Sequence, residues 1–488
     1  MSVFSSNGSK WAFIVQRIIF LIFATTIIIS CGGNSNTDSD NGEEIVNSGN
    51  NETEESIDPP PVDDSDNGEE IVNPENNETD ETTDPPSIDE GDFFLVSGVV
   101  TGLVGDITIF LSGGLAITLS SNTRFEFRVL KGTEFTIFFF DSLDSQRCTV
   151  NNEFYIADKD INDIVITCNK RTLFSEALEK ITDVNFYNCM ANEVKIYVDE
   201  IKIIGCSGKY ITSLDGIGSF TSLKSVFLYD NQITDADFSD NTELTLIYLG
   251  RNKLTSVNLI NNSKLTDISL ANNQLANIDI QNNFDLKYLY LSFNHLSTIN
   301  ITKNINLQSL SIGNNELTII DVSENVELTN LELSRNPLTN IDVSTNIKLE
   351  YLQIWDNQLI TNIDVSKNPE LISLNLYGNQ LSSININSNT KLELLDLSYN
   401  QLTSLDVSNN KELIDLRAYY NLLSNIDVSN NPLLDRLWLM LNDLITVPNG
   451  LDKISNTNSD IDLTSNLFSD SAKIELDTLS ETYLQLKY

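Results

Sequence analysis

The side chains that could do chemistry in this chain are few in kind. Histidine occurs once, as His295, directly after Asn294. A Ser-His-Asp or Cys-His arrangement would have to use that residue alone, and no nucleophile motif accompanies it. Its expected place is a solvated turn. Gly205-Cys206-Ser207-Gly208-Lys209 combines glycines with a lysine but is too short to wrap a phosphate. Carboxylates are plentiful, 70 Asp and Glu against 29 Lys and Arg, yet glycoside hydrolysis needs two set apart by their environment. Nothing in the sequence sets a pair apart. What the chain supplies well is contact chemistry: Tyr, Trp, Phe and Arg, the residues that dominate interface hot spots. No catalytic residue, cofactor or metal is implied, and the expected activity is binding without turnover.

Those residues are positioned by a repeat. From about Asn231 the phrase L-x-x-L-x-L-x-x-N-x-L recurs, as in Leu286-xx-Leu289-x-Leu291-xx-Asn294-x-Leu296. Its asparagines are Asn231, Asn252, Asn273, Asn294, Asn315, Asn336 and Asn357, then Asn379, Asn400, Asn421 and Asn442. The step is 21 residues except for one extra, placed after Leu359, and a looser last copy ends at Asn466. A fixed period near twenty with this consensus marks a leucine-rich-repeat solenoid. L-x-L alternation is strand period, so leucines point inward and the residues between them line a concave parallel sheet. One unit cannot bury its own leucines, whereas stacked units share one core. Each buried Leu or Ile contributes roughly 1.5–3 kcal/mol. The eleven asparagines should form a structural ladder. Their amides would pair backbone that costs about 1–3 kcal/mol per group if left unpaired.

The back of each unit is regular too: Ile320-Asp321-Val322-Ser323, Ile341-Asp342-Val343-Ser344, Leu405-Asp406-Val407-Ser408. Another Asn follows two residues after most of these serines. The expected role is a narrow convex segment in which Asp and Ser cap turns. A row of carboxylates could instead hold Ca²⁺, but each unit offers one and Ca²⁺ wants several oxygens.

On the concave side, the positions flanking the second strand leucine hold Phe227, Tyr229, Tyr248 and Tyr290, and later Trp355, Tyr377, Arg417, Tyr419, Trp438 and Met440. Between the two groups lie Ser269, Ala271, Ser311, Gly313, Glu332 and Ser334, small or acidic. The aromatic residues and Arg417 are the candidate ligand-binding set, the cluster from Trp355 to Trp438 foremost. The plainer account is that the rings pack along the sheet.

In wording as well as spacing, the array resembles bacterial surface leucine-rich-repeat proteins with N-x-L-x-x-I-D-V-S-x-N-x-x-L units. Leu214-Asp215-Gly216-Ile217 leading to Leu223 is similar to the opening repeat of internalins. The resemblance spans roughly 201–468 and implies protein or glycan binding without chemistry.

Ahead of the repeats the chain changes character. Lys10 and Arg17 precede an apolar run from Ile18 to Ile29, followed by Ser30-Cys31. That describes a secretory leader, too short for the ~20 residues that span a bilayer. Ile28-Ile29-Ser30-Cys31-Gly32 resembles a lipobox, which implies lipidation of Cys31 and an exported lipoprotein of the outer membrane or cell surface. Residues 32–91 form an acidic tether in which Asp40-Asn41-Gly42-Glu43-Glu44-Ile45-Val46-Asn47 recurs from Asp66. It lacks the apolar surface to offset chain entropy. A formal charge of −41 argues against nucleic acid, whose phosphates need clustered Lys and Arg. It equally disfavours attachment to anionic lipid by charge, leaving the acyl chain as the membrane contact.

Residues 92–169 read as a separate small β-sandwich. Phe94-Leu95-Val96, Ile107-Thr108-Ile109-Phe110, Ala116-Ile117-Thr118-Leu119, Phe125-Glu126-Phe127, Phe135-Thr136-Ile137-Phe138 and Ile164-Val165-Ile166 are separated by turn residues. The module resembles bacterial Ig-like domains through Val96-Ser97-Gly98-Val99-Val100-Thr101-Gly102-Leu103 and Cys148-Thr149-Val150…Ile166-Thr167-Cys168, which implies a spacer. With Cys31 lipidated, four of the five cysteines remain in an exported chain, an even number. Cys148 with Cys168 is the natural pair, worth roughly 3 kcal/mol. Cys189 and Cys206 either bridge at the head of the solenoid or remain buried thiols; Cys206 is read as standing where later units have Asn.

The resulting division is a leader to residue 31, tether 32–91, sandwich 92–169, cap and first repeat 170–222, repeats 223–468 and a rear cap 469–488. Leu173 to Ile181 has helical spacing and should cap the front; Lys473 to Leu486 should cover the rear. The whole is expected to be an α/β-type solenoid horseshoe that binds a protein on its concave face, with a glycan held on the same aromatics as the alternative.

Overall fold

In Arg124–Leu130 every second residue is apolar, and Phe125, Phe127 and Val129 are buried while their neighbours face out. This alternation repeats along a module of eight strands. They are β1 (Phe93–Thr101), β2 (Ile107–Leu111), β3 (Ala116–Leu119), β4 (Arg124–Leu130), β5 (Glu134–Phe140), β6 (Gln146–Val150), β7 (Phe154–Ile156) and β8 (Ile161–Lys170). The computed structural model describes residues 93–488 apart from 141–144, 153 and 194. The leader with Cys31, the tether 32–91 and Asp92 lie outside the described residues.

The strands form two four-stranded sheets, β4-β1-β8-β6 and β3-β2-β5-β7, around one apolar core that includes Val96, Ile109, Phe135 and Ile164. Two strands, β6 and β7, go beyond the sequence expectation, because Gln146–Val150 and Phe154–Ile156 lack a long apolar alternation. β6 and β8 pair antiparallel with Cys148 opposite Cys168, and the two are bridged. Gly98 on β1 is required: a Cβ there would stand 2.4 Å from the Ile164 carbonyl and 2.7 Å from the Phe125 ring.

Two short helices follow, α1 (Phe174–Leu178) and α2 (Val184–Met190), the second capped by Asp183, which accepts from the N–H of Asn185 and Phe186 at 2.9 Å. Arg171 ties sandwich to solenoid. Its side chain is 3 % exposed, lies 2.9 Å from Asp199 and 3.2 Å from Glu200, and stacks over Tyr197. Arg147 on β6 meets the same Asp199 at 2.5 Å. Burial pushes the Asp199 carboxyl up, but the bonds from the two arginines outweigh it and hold the group below its usual range.

The repeats build one fourteen-stranded parallel sheet, from β9 (Ile203–Gly205) to the terminal strand Leu486–Lys487. Successive strands pair in register, Leu289 beside Leu310 beside Leu331, and the inward residues form a continuous core from Phe174 to Tyr483. This is the leucine-rich-repeat horseshoe that the consensus requires. The α/β expectation needs correction: among the described residues the repeats carry no α-helix, and α-helices only flank them. The reason lies in the Ile-Asp-Val-Ser segment. Its β-branched residues disfavour helix, and its Asp turns the chain by accepting the N–H two residues on, 3.0 Å for Asp321 to Ser323 and 2.9 Å for Asp342 to Ser344. The rear is closed by α3 (Asp470–Ser480), capped by Ser469. Leu486, the last residue of the segment expected to cover the rear, starts the final strand, which pairs with Asp460–Asp462.

The asparagines of the repeat phrase stand stacked and buried: Asn231, Asn252, Asn273, Asn294, Asn315, Asn336, Asn357, Asn379, Asn400, Asn421 and Asn442. Asn294 shows the usual bonding. Its Nδ2 donates to the carbonyls of Leu270 (3.0 Å) and Leu291 (2.9 Å), and its Oδ1 accepts from Leu275 N at 3.0 Å. Asn252 and Asn273 repeat the last bond with Ile233 N and Leu254 N, at 3.1 and 3.0 Å. In the late coils Asn400, Asn421 and Asn442 do so with Leu381 N, Leu402 N and Leu423 N, at 3.0, 2.9 and 3.0 Å. Only Asn357 and Asn379 depart from the pattern among the described ladder residues. A second ladder runs parallel on the convex side: Asn262, Asn283, Asn304, Asn325, Asn346 and their counterparts, all fully buried. From Asn325 on most of them stand two residues after the convex serine, a regularity visible in the sequence without an assigned role, while Asn262, Asn283 and Asn304 follow Ile260, Gln281 and Thr302 at the same distance. The residue before most first-ladder asparagines is left-handed, φ +59° at Asn272, +61° at Phe293 and +58° at Tyr420. That turn swings its side chain out of the coil.

Two register expectations are corrected. Ile203 pairs with Ser225 and Gly205 with Phe227, so Cys206 aligns with the inward Leu228, not with a ladder Asn. It is buried accordingly and bridged to Cys189. The extra residue lies before Ile360 instead of after Leu359. Ile360 is fully buried in the slot that Leu fills elsewhere, and Leu359 is 48 % exposed.

Candidate binding face on the concave sheet

In each coil the strand residues flanking the first inward position face outward, as Tyr288 and Tyr290 flank Leu289. A third outward residue follows the second inward leucine, and the left-handed residue follows that. Four rows therefore cross the concave side and its edge. The expected set comes mainly from the second and third rows.

In the early coils Phe227 and Tyr248 stack with centroids 5.3 Å apart. The Tyr248 hydroxyl is pushed up to about 12 by burial and by Asp267, which also acts with burial on Tyr290. Burial raises the Asp267 carboxyl itself. Tyr229 stands more exposed, at 54 %. The middle coils are flat, and Glu332 explains why small residues are needed there. Its carboxylate accepts from Ser311 Oγ (2.9 Å), Ser292 Oγ (3.2 Å) and Gly313 N (3.0 Å), and a Cβ on Gly313 would come within 2.3 Å of it.

The late coils hold a connected cluster. Tyr377 lies 6.4 Å from Tyr419, and Tyr419 lies 6.3 Å from Trp438. Arg417 donates twice to Asp415, at 3.0 and 2.9 Å, and sits 4.8 Å over Trp438. Trp438 Nε1 donates to Asp460 at 3.0 Å. Trp355 carries Arg335, 4.5 Å over its ring and 3.4 Å from Asp356. Burial raises the Asp396 carboxyl, and burial with Asp396 pushes the Tyr419 hydroxyl up to about 12.

Several members of this cluster escape the sequence reading. Arg436 occupies the first outward row, 2.5 Å from Asp415 and 5.1 Å from the Trp438 ring. Tyr399 and Tyr420 occupy the left-handed row and stack on each other at 4.5 Å, with Tyr399 also 5.1 Å from Tyr377 and 5.5 Å from Tyr419. The signal was present: where several other coils have Asp, Asn, Arg or Gly before the ladder Asn, these two have Tyr. His295 is exposed, with Nδ1 3.3 Å from Glu316. Among the described residues no group of three His, Cys, Asp or Glu is placed to hold a metal.

No family model and no curated protein matches the chain. Among solved structures it is similar to an internalin, InlF, from Listeria monocytogenes, at 22 % identity over 64 % of this chain and 96 % of that one, with a TM-score of 0.55. It is also similar to the functional domain of InlJ from Listeria monocytogenes (24 % identity, 64 % and 80 % covered, TM-score 0.48). A leucine-rich-repeat protein of Leptospira interrogans follows (18 % identity, 64 % and 97 % covered, TM-score 0.42). At these identities the likeness to InlF is one of fold.

Proposed function

We propose that this is an exported, non-enzymatic binding protein that docks a protein partner on the late coils of its concave face, held at the membrane by a lipid on Cys31. The observation that carries the docking reading is the preassembled cluster of Tyr377, Tyr399, Tyr419, Trp438, Arg417 and Arg436. Its rings and guanidinium groups hold one another in place before any partner arrives, so little side-chain entropy remains to be lost on binding. The composition is that of an interface hot spot. A guanidinium lies over one face of each of Trp355 and Trp438. That arrangement leaves less ring face for stacking a sugar, and because Asp415 and Asp356 already pair the guanidinium groups, it favours a partner with apolar and aromatic side chains. Export is supported by the two disulfides, together with the leader and the lipobox-like sequence.

The test is a display screen of extracellular proteins against the purified full-length chain, followed by titration of any purified hit. Arg417→Ala and Trp438→Ala should each weaken binding by about tenfold or more, a loss of about 1.4 kcal/mol. Ile319→Ser, at an exposed position off the strand rows, should not. Binding that is indifferent to both cluster substitutions rejects the assignment of the face.

A further inference from the structure

Between Asn231 and Asn442 the 21-residue step breaks once, and the break coincides with a cleft. Between Asn357 and Asn379 the spacing is 22 residues, where its neighbours have 21. The extra residue disturbs the ladder on both sides. Asn315 Oδ1 takes Leu296 N and Asn336 Oδ1 takes Leu317 N. Asn357 Oδ1 instead takes the N–H of Asn336, at 3.2 Å. Asn379 Oδ1 is buried and accepts from no described residue. The surplus backbone bulges outward: Gln358 is left-handed at φ +52°, in addition to Asp356 at +60° in the position that is left-handed in most coils. In the next coil the corresponding outward residue is Gly378, which has no side chain to fill the step. The result is an open cleft of about 320 Å³, walled by Tyr377, Tyr399, Asp356, Gln358 and Gln380 over Gly378.

We propose that this cleft is a saccharide-binding site for a single neutral pyranose residue. It shares Tyr377 and Tyr399 with the docking cluster but stands if the protein-docking reading fails. The volume is at the lower end of the ~300–1,000 Å³ typical of small-molecule sites, which suits one ring and not a chain. The chemistry of the walls selects a neutral polyol. Tyr377 and Tyr399 present aromatic surface to C–H faces, and Tyr399 is fixed from behind by its stack on Tyr420. Gln358 Nε2 donates to Asp356 at 3.3 Å, and each of Gln358 and Gln380 keeps a second N–H and its amide oxygen, matching hydroxyls that donate and accept. Gln380 Nε2 already donates to the Gln358 carbonyl across the step at 2.5 Å, which sets their spacing. Asp356 is the one charged side chain lining the cleft, and Arg335 stands 3.4 Å from it. Its charge is therefore balanced. A lysine or arginine of a partner would gain little there, whereas the carboxylate oxygens still accept from sugar hydroxyls.

The experiment applies the purified full-length protein to an array of neutral and charged glycans, then titrates the methyl glycoside of any hit by calorimetry. Binding to a neutral pyranose is expected, weakened about tenfold or more by Asp356→Ala and by Gln380→Ala, and unchanged by Ile319→Ser. Deleting Leu359 restores the 21-residue step and should abolish saccharide binding while leaving the fold intact by circular dichroism. If the deletion unfolds the chain, the two point variants carry the test alone. No binding to any neutral glycan, or binding that survives both point variants, overturns the assignment. So does preferential capture of basic peptides by the same residues.

Discussion

The two asparagine ladders give a prediction whose magnitude follows from their bonding. Asn294 and Asn304 lie ten residues apart in the middle of the solenoid, one in each ladder, both buried and both asparagine. Replacing Asn294 with Ala removes two bonds to carbonyls and leaves Leu275 N–H without its acceptor. Each lost bond costs about 0.5–1.5 kcal/mol, and an orphaned buried donor about 1–3 kcal/mol, so the total is about 4 kcal/mol. Asn304→Ala also removes two bonds to carbonyls, from Ile280 and Asn283. Its Oδ1, however, accepts from no described residue, so its loss orphans no donor and relieves a group already unpaired. The expected cost is about 1–2 kcal/mol, and the difference between the variants about 2–3 kcal/mol. Urea unfolding followed by fluorescence of Trp355 and Trp438 measures the totals. Native-state hydrogen exchange at the Leu275 amide localises the effect, because protection there should fall in Asn294→Ala and persist in Asn304→Ala. Equal destabilisation by the two, or undiminished protection at Leu275, refutes the assignment of roles to the ladders.

Stability should peak at mildly acidic pH. Burial raises Asp396 and Asp267 above the usual carboxylate range, so protonating them as pH falls from 7 relieves a penalty of the folded state. Asp321, Asp342, Asp364, Asp406 and Asp427 are instead held low by hydrogen bonds from the serine two residues on. Their contribution is present above the unfolded value near ~3.9 and is lost as pH drops through their folded values. A Tm–pH scan should therefore rise and then fall, and Asp396→Asn should flatten the rise; a steady decline from pH 7 to 4 in the parent chain contradicts this. At the junction, Arg171→Ala should cost about 2–3 kcal/mol, less than the ~3–5 kcal/mol of a fully buried pair, because Asp199 keeps Arg147. Calorimetry should then show the sandwich melting apart from the solenoid, and an unchanged thermogram would deny Arg171 its coupling role.

The sequence by itself determined the solenoid, since a leucine at a fixed place in every unit has one way to leave water, against the next unit. It also determined the asparagine ladder and the turn-capping convex aspartates, because each is a local bond repeated at a fixed spacing. The same Oδ1 bond recurs at Asn252, Asn273, Asn400, Asn421 and Asn442. It fails only around the insertion, where Asn357 and Asn379 lose their regular partners. The cysteines were half legible. Cys148 and Cys168 could be paired from the even count left once Cys31 is set aside and from their Ig-like wording, but the Cys189–Cys206 bridge depended on the register of β9 against β10 (Ser225–Phe227), which a first repeat of irregular wording does not declare.

Only the tertiary structure decided which aromatic residues form one surface. Tyr399 and Tyr420 lie in the turn, outside the strand pattern, and reach the concave cluster because the ladder fixes a left-handed backbone before each of their asparagines. Arg436 joins it through Asp415 from the preceding coil, 21 residues earlier. The one-residue insertion was countable in the sequence, whereas its consequence was not. Whether a surplus residue is absorbed inside the coil or pushed outward depends on which side chain takes the inward slot. Ile360 takes it, burying its branched side chain and leaving Leu359 at the surface, and that choice opens the step over Gly378.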